Sequence, residues 1–299
     1  MLRKGMPIVL IALVGLSLLP VACGQGGTTG GDGLRGNMTI AGSSALQPLV
    51  DQAAQVFQRE NAAVRITVSA GGSGAGRANV CKGTIDIGTS DVPLSEEEKQ
   101  SLNCADAVET VVAVQAFGAA ANPQGPGDVK ALSREQLVGI FSGKITNWSE
   151  VGGTDQRIVV INRAAGSGTR AQMANYLFNG DDSQFATGAA EVDANQTVVN
   201  NIRQTPGAIS YLGFAFLGDA GIVAFNVLDD AGQVVELSEA NIAAGKWPIG
   251  GPGFGITKGP PSELEQAFLN FITSAEFAND PIWQNLGFVS PALKAAGSR

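Results

Sequence analysis

Two hydrophobic periods alternate along this chain. Asn37 to Ala41 reads as a short strand, and Leu49, Ala53, Val56 and Phe57 then recur at helical spacing over Pro48 to Glu60. Val64 to Ala70 alternates apolar and polar as a second strand, and Gly71 to Gly76 leads into a short helix through Asn79 and Val80. Thr84 to Thr89 predicts a third strand, closing on Ser90-Asp91-Val92-Pro93-Leu94. Ser95 followed by Glu96, Glu97 and Glu98 predicts an N-cap with acids in the first turn. Val108 to Ala121 is long and apolar, but Gln115 and Gly118 interrupt it, so it predicts a buried strand or two crossing between domains. Ser133 to Phe141 reads as a helix with a Ser-x-x-Gln capping box, followed by a turn from Ser142 carrying Trp148 as an aromatic plug. Strands are predicted at Arg157 to Ile161, Gly207 to Leu212, Ile222 to Val227 and Phe254 to Thr257. Helices are predicted at Thr169 to Phe178, Gln196 to Gln204 and Ser262 to Thr273. Strands alternating with helices imply an α/β fold on a parallel sheet, and no repeat of fixed period is present.

Composition then sets the compartment. The first residues, Met-Leu-Arg-Lys, precede an apolar run from Pro7 to Ala22, the arrangement of a secretory signal over 1–22 and too short for a membrane span. Leu19-Pro20-Val21-Ala22-Cys23 resembles a bacterial lipobox, with Pro20 where leucine is usual, so Cys23 is the expected lipid attachment. Residues 23–36, rich in Gly and Thr, read as a flexible tether. Cys81 and Cys104 remain, and an oxidising compartment predicts a disulfide between them. The formal charge is −8, and losing Arg3 and Lys4 with the leader makes it −10. No basic stripe matches a nucleic-acid backbone, so nucleic acid is not an expected partner.

The chain contains no histidine, which excludes Ser-His-Asp and Cys-His catalysis and His-ligated zinc. No Gly-rich loop is followed by Lys-Ser or Lys-Thr, so a P-loop is absent; no metal or cofactor is expected. What remains is a set of Ser, Gly and Thr turns between strands and helices. The strongest, Asn162 to Arg170, ends a strand and opens a helix at Ser167-Gly168-Thr169. It leaves backbone N–H groups at the positive end of a helix dipole, with Arg163 able to add a bidentate fork. Similar turns at Ser43-Ser44-Ala45 and Ser73 would, if they converge, supply a dozen or so neutral donors to a tetrahedral oxyanion. Asp91 discriminates among such anions. An ionised carboxylate only accepts, so it pairs with the P–OH of hydrogen phosphate and repels proton-free sulfate.

Taken together, these motifs resemble the phosphate-binding lipoproteins of high-affinity phosphate ABC transporters, from about Asn37 to Leu293. The resemblance rests on Ala41-Gly42-Ser43-Ser44-Ala45-Leu46-Gln47-Pro48-Leu49, Gly72-Ser73-Gly74-Ala75-Gly76, and Ile87-Gly88-Thr89-Ser90-Asp91-Val92-Pro93-Leu94. It rests equally on Ile140 to Trp148, on Arg163 with Gly166-Ser167-Gly168-Thr169-Arg170, and on Gly207-Ala208-Ile209-Ser210-Tyr211. It implies a two-lobe periplasmic-binding-protein-like fold of type II, each lobe a sheet flanked by helices, with the ligand cleft between them. The lobes would be 34–115 with 252–299, and 116–251. The implied phosphate-binding residues are Ser43, Ser44, Ala45 and Leu46 of the first loop, Ser73, Asp91 as proton acceptor, Arg163 as cation, and Ser167, Gly168 and Thr169. The resemblance also implies a monomer that is no enzyme, lipid-anchored outside the cytoplasm, whose closed form is recognised by permease subunits in the membrane. In relatives an acid often lies two residues after the arginine; here that place is Ala165. The alternatives are another oxyanion (sulfate, molybdate or arsenate) and a secreted phosphate-ester hydrolase.

Overall fold

The structure, a computed structural model, describes residues 33–292. The leader 1–22, Cys23, the tether up to residue 32 and the end of the first lobe from 293 lie outside the described residues. The N-terminal elements keep the predicted alternation: β1 (Gly36–Gly42), α1 (Gln47–Glu60), β2 (Val64–Ala70), α2 (Ser73–Cys81), β3 (Ile87–Ser90) and α3 (Glu96–Ser101). β1 lies between β2 and β3 and is parallel to both. Strand β3 begins three residues later than the sequence predicts. Gly83 turns at φ +70°, and Asp86 accepts from the Thr39 N–H at 2.6 Å instead of continuing a ladder.

One strand, β4 (Val108–Ala121), joins these N-terminal elements to the middle of the chain. Residues Val108 to Ala116 pair antiparallel with β12 (Gly250–Thr257), and Phe117 to Ala121 pair antiparallel with β8 (Ala208–Gly213). Beyond it come β5 (Ala131–Ser133), α4 (Arg134–Phe141), β6 (Val159–Arg163), α5 (Gly168–Phe178), β7 (Ala190–Val192) and α6 (Asn195–Gln204). Between β8 and β12 lie β9 (Val223–Ala224), β10 (Asn226–Leu228), β11 (Val234–Val235) and α7 (Glu239–Ala243). After β12 come α8 (Glu263–Ile272) and α9 (Ile282–Asn285).

The main sheet runs β2-β1-β3-β12-β4-β8-β6-β7, with β9 also on β4, and a small sheet runs β11-β10-β5. It is mixed where the sequence predicts parallel. β12 is antiparallel to both its neighbours, and its start at Gly250-Gly251-Pro252-Gly253 has no apolar alternation to announce a strand. The predicted strand Ile222 to Val227 divides at Phe225, which is buried and gives its N–H to Ala119 O at 3.0 Å; β9 pairs with β4 and β10 with β5.

Side-chain clusters lie on both sides of this partner change in β4. One packs Met38, Leu49, Phe57, Val112, Phe268 and Trp283, with the Phe57 and Phe268 rings edge to face at 5.5 Å. Another packs Phe117, Phe141, Trp148, Tyr211 and Phe225. Trp148 is fully buried, stacks on Phe225 and donates Nε1–H to Gly207 O at 3.0 Å, the plug expected of its turn. The predicted capping box forms at Ser133 with Gln136, and the predicted N-cap Ser95 closes a box of its own with Glu98. Cys81, at the end of α2, is bonded to Cys104, with Cα atoms 5.3 Å apart. Closing a loop of 23 residues this way contributes about 3 kcal/mol in the chain-entropy account.

Candidate functional site

The C-terminal ends of β1, β2, β3 and β6 deliver four turns to one buried place, and glycines let them touch. A Cβ on Gly168, the first residue of α5, would lie 2.2 Å from Ser73 Oγ and 2.6 Å from Asp91 Cβ. A Cβ on Gly76 would lie 2.7 Å from Thr89 O. These positions admit no side chain: at Gly76 α2 lies directly on the backbone of β1 and β3, and at Gly168 the α5 N-terminus lies directly on the Ser73 hydroxyl and the Asp91 side chain. The Gly74 N–H donates to Gly166 O at 2.9 Å across the same contact.

Asp91 is the centre, 1% exposed. Its Oδ1 accepts from Ser43 Oγ–H and from Gln115 Nε2 at 2.9 Å; its Oδ2 accepts a long bond from Thr169 Oγ1 at 3.4 Å. Its N–H donates to Ser73 Oγ at 3.0 Å, and its carbonyl accepts from Gln172 Nε2 at 2.6 Å. Burial raises the carboxyl's pKa, against the opposing hydrogen bonds of Ser43 and Gln115 and the field of Arg163.

Arg163, at the end of β6, is also 1% exposed. Nε donates to Val192 O at 3.1 Å, Nη1 to Asn195 Oδ1 at 3.2 Å, and Nη2 to Ser44 Oγ at 3.3 Å and to Asp193 O. All four acceptors are neutral. Burial pulls the guanidinium pKa down, and Asp91, Tyr211 and Asp193 oppose this through space, so it remains a buried cation. Ala165, two residues after it, brings no charge to it.

The remaining predicted donors divide. Ser167 caps α5, its Oγ accepting from Arg170 N–H at 3.3 Å, while the N–H groups of Gly168 and Thr169 have no partner among the described residues. Ala45 and Leu46 turn their N–H groups to Ser43 Oγ, both at 3.1 Å, so Ser43 accepts from the first loop and donates to Asp91. Ser44 Oγ accepts from Asn195 Nδ2 at 2.9 Å. Reading residue by residue missed Gln115, Gln172 and Asn195. Gln115 left one signal, a polar residue inside an apolar strand; Asn195 and Gln172 look like ordinary helix residues. Among the described residues no cluster of His, Cys, Asp and Glu suits a metal ion, and no helix is long and apolar enough to cross a membrane.

A family model described as a PBP superfamily domain matches residues 27–276. The phosphate-binding protein PstS of Bacillus subtilis is 37% identical over 284 residues, 92% of this chain and 91% of that protein. The chain belongs to the PstS family within this superfamily. Among solved structures, this PstS-family chain is similar to a phosphate ABC transporter substrate-binding protein from Clostridium perfringens with bound phosphate. That match has TM-score 0.76 and 27% identity, covering 85% of this chain and 99% of the other. It is also similar to an ABC-type phosphate transport receptor from Vibrio cholerae, with TM-score 0.64 and 25% identity, covering 85% of this chain and all of the other. The PstS family is one of transport substrate-binding proteins with a PBP-type α/β fold.

Proposed function

We propose that this protein binds inorganic phosphate outside the cytoplasm and delivers it to the permease of an ABC transporter. The observation behind this reading is the pairing within one buried site of a carboxylate and a cation that no carboxylate among the described residues touches. Asp91 Oδ2 sits against Gly168, whose Cβ would lie 2.7 Å from it, and the α5 N–H groups point from the same place. A monohydrogen phosphate supplies one P–OH for Asp91 and unprotonated oxygens for the N–H groups of Gly168 and Thr169, for Ser73 and for Arg163. Sulfate lacks the proton, so its oxygen would face the carboxylate unmatched. Ser43, Ala45 and Leu46 then act mainly by building and orienting Asp91, and Ser44 by linking Arg163 to Asn195.

The lobes of this reading are 34–115 with 252–299, and 116–251, a division supported by the change of partner along β4 at Ala116 and Phe117. Ser44, Ser73 and Asp91 belong to the first lobe, and Arg163, Thr169, Gln172 and Asn195 to the second. Their mutual hydrogen bonds fit a closed form, the form a permease would recognise. Cys23 anchors the protein through lipid in this reading, on the strength of the Leu19 to Cys23 motif. We assign no catalytic residue. Asp91 is enclosed by donors and is not poised to move a proton to water.

Isothermal titration of the purified protein with phosphate and, separately, sulfate at neutral pH tests the reading. The expected result is tight one-to-one phosphate binding with sulfate rejected. Asp91→Asn should weaken phosphate about 10- to 100-fold, the worth of a hydrogen bond to a charged group, and improve sulfate. No heat and no thermal shift with phosphate after bound anion has been stripped would refute it.

A further inference from the structure

Gln115 lies on β4 opposite Gly251 of β12, one residue before the strand's last pairing with β12 and two before it turns to β8. It is 3% exposed, and its Nε2 donates to Asp91 Oδ1 at 2.9 Å. Its own Oε1 is buried without a hydrogen-bond partner among the described residues. A buried amide oxygen with no donor is unfavourable, and such a group needs a reason. Turning the amide over would offer Oε1 a place, but only against Asp91 Oδ1, where two acceptors would meet. The observed orientation is the one an ionised Asp91 demands.

That orientation divides the carboxylate. Oδ1 receives Ser43 Oγ–H and the Gln115 amide and is saturated; among the described residues Oδ2 receives only the 3.4 Å bond from Thr169, and it faces Gly168 at the start of α5. Resting on the phosphate reading above, we propose that Gln115 is a specificity-determining positioning residue. It pins Asp91 so that Oδ2 alone, and always as an acceptor, meets the ligand, making a P–OH the group this site selects. Gln115 touches no ligand itself. It sits where the strand passes from one lobe's pairing to the other's, so it ties the rotamer of Asp91 to the crossing strand and not to either turn.

The charged group that reaches Asp91 is Arg163, which in turn faces Asp193 and Tyr211; Ser43, Thr169 and Gln172 bring no charge. Removing the Gln115 donor takes away one hydrogen bond that opposes the effect of burial on Asp91. The pH at which phosphate binding fails should therefore move upward.

The test is titration of the wild type, Gln115→Leu and Gln115→Glu with phosphate and with sulfate between pH 5 and 8.5, beside thermal melts without ligand. For Gln115→Leu the expected result is phosphate weakened about 10- to 100-fold, as for losing a hydrogen bond to a charged group, with sulfate held or improved and the acid limb displaced upward. Gln115→Glu should be weak at pH 8, where two carboxylates confront each other, and should recover as pH falls and the new carboxyl becomes a donor. A purely structural residue would lower the melting temperature while leaving the phosphate-to-sulfate ratio and pH profile as in the wild type, and that outcome overturns the proposal. If Gln115→Leu does not fold, the pH profile of Gln115→Glu decides. A wild type that binds no phosphate overturns the underlying reading and this one with it, whereas a phosphate-binding wild type with unchanged variants overturns this one alone.

Discussion

Two arginines of this protein are buried alike and used differently. Arg77, 7% exposed on α2, gives Nε and Nη2 to Glu98 Oε1 at 3.0 and 2.7 Å and Nη1 to Ser90 Oγ at 2.9 Å. Burial pushes the Glu98 carboxyl up, but the Ser95 N–H and the Arg77 guanidinium outweigh it and hold the pKa low. Arg163, 1% exposed on β6, has carbonyls, an amide and a hydroxyl where Arg77 has a carboxylate. The first cation is spent on the fold: through Ser90 it braces the turn that presents Asp91. The second is oriented but not neutralised, which leaves its charge for an anion. A buried charge is informative through its partners more than through its burial.

Charge removal should separate the two. Arg163→Gln should weaken phosphate roughly 30- to 5,000-fold, the range corresponding to about 2–5 kcal/mol for truncating one member of a buried charge pair, and titration calorimetry reads it directly. A loss under about threefold would mean that the neutral acceptors had already used this cation as Glu98 uses Arg77.

Arg77→Met should show the converse in a melting experiment. Glu98 is 34% exposed, so the loss is well below that of a fully buried pair, about 1–2 kcal/mol or a fall of roughly 3–6 °C. Phosphate affinity should hold within about threefold, since this arginine touches the turn behind the site and not its donors. Equal damage to affinity would show that bracing and binding are inseparable here.

The smallest effect concerns Asp91 without ligand. Burial sets its folded pKa above the ordinary 3.8, so the carboxyl favours folding while protonated. That contribution is complete below the unfolded value and is lost as pH rises through the folded one. In melts across pH 4 to 8, Asp91→Asn should therefore be the more stable form at neutral pH, with the difference fading toward pH 4. An Asp91→Asn protein that is less stable throughout would mean that Ser43, Gln115 and Arg163 more than offset the burial of the charge.

Much of the fold was legible because its signals are local. The N-cap at Ser95, the capping box at Ser133, the helical spacing of Leu49, Ala53 and Phe57, and the Trp148 turn depend on residues within a few positions of one another. The antiparallel strand β12 was legible only from Phe254 onward, because Gly250 to Gly253 are in a strand through pairing with residues 113–116, far away in sequence. The site divides in the same way. Ser-Gly-Thr turns that end strands and begin helices mark themselves, and Arg163 and Asp91 stand beside such turns. Gln115 was visible only as an interruption in an apolar strand, and Gln172 and Asn195 not at all.

By itself the sequence determined the kinds of chemistry open to this protein. With no histidine and with glycine and serine turns repeated at strand ends, it excludes the histidine-dependent hydrolases and metal sites and supplies neutral donors and helix termini. Only the tertiary structure decided which groups face each other. Asp91 meets Gln115 24 residues away and Gln172 81 away, and Ser44 meets Asn195 across 151 residues. Such pairs are set by how the sheet folds β4 and β12 through its middle. The charge state that matters at Asp91 and Arg163 comes from burial and facing dipoles, which no neighbouring residue in sequence specifies.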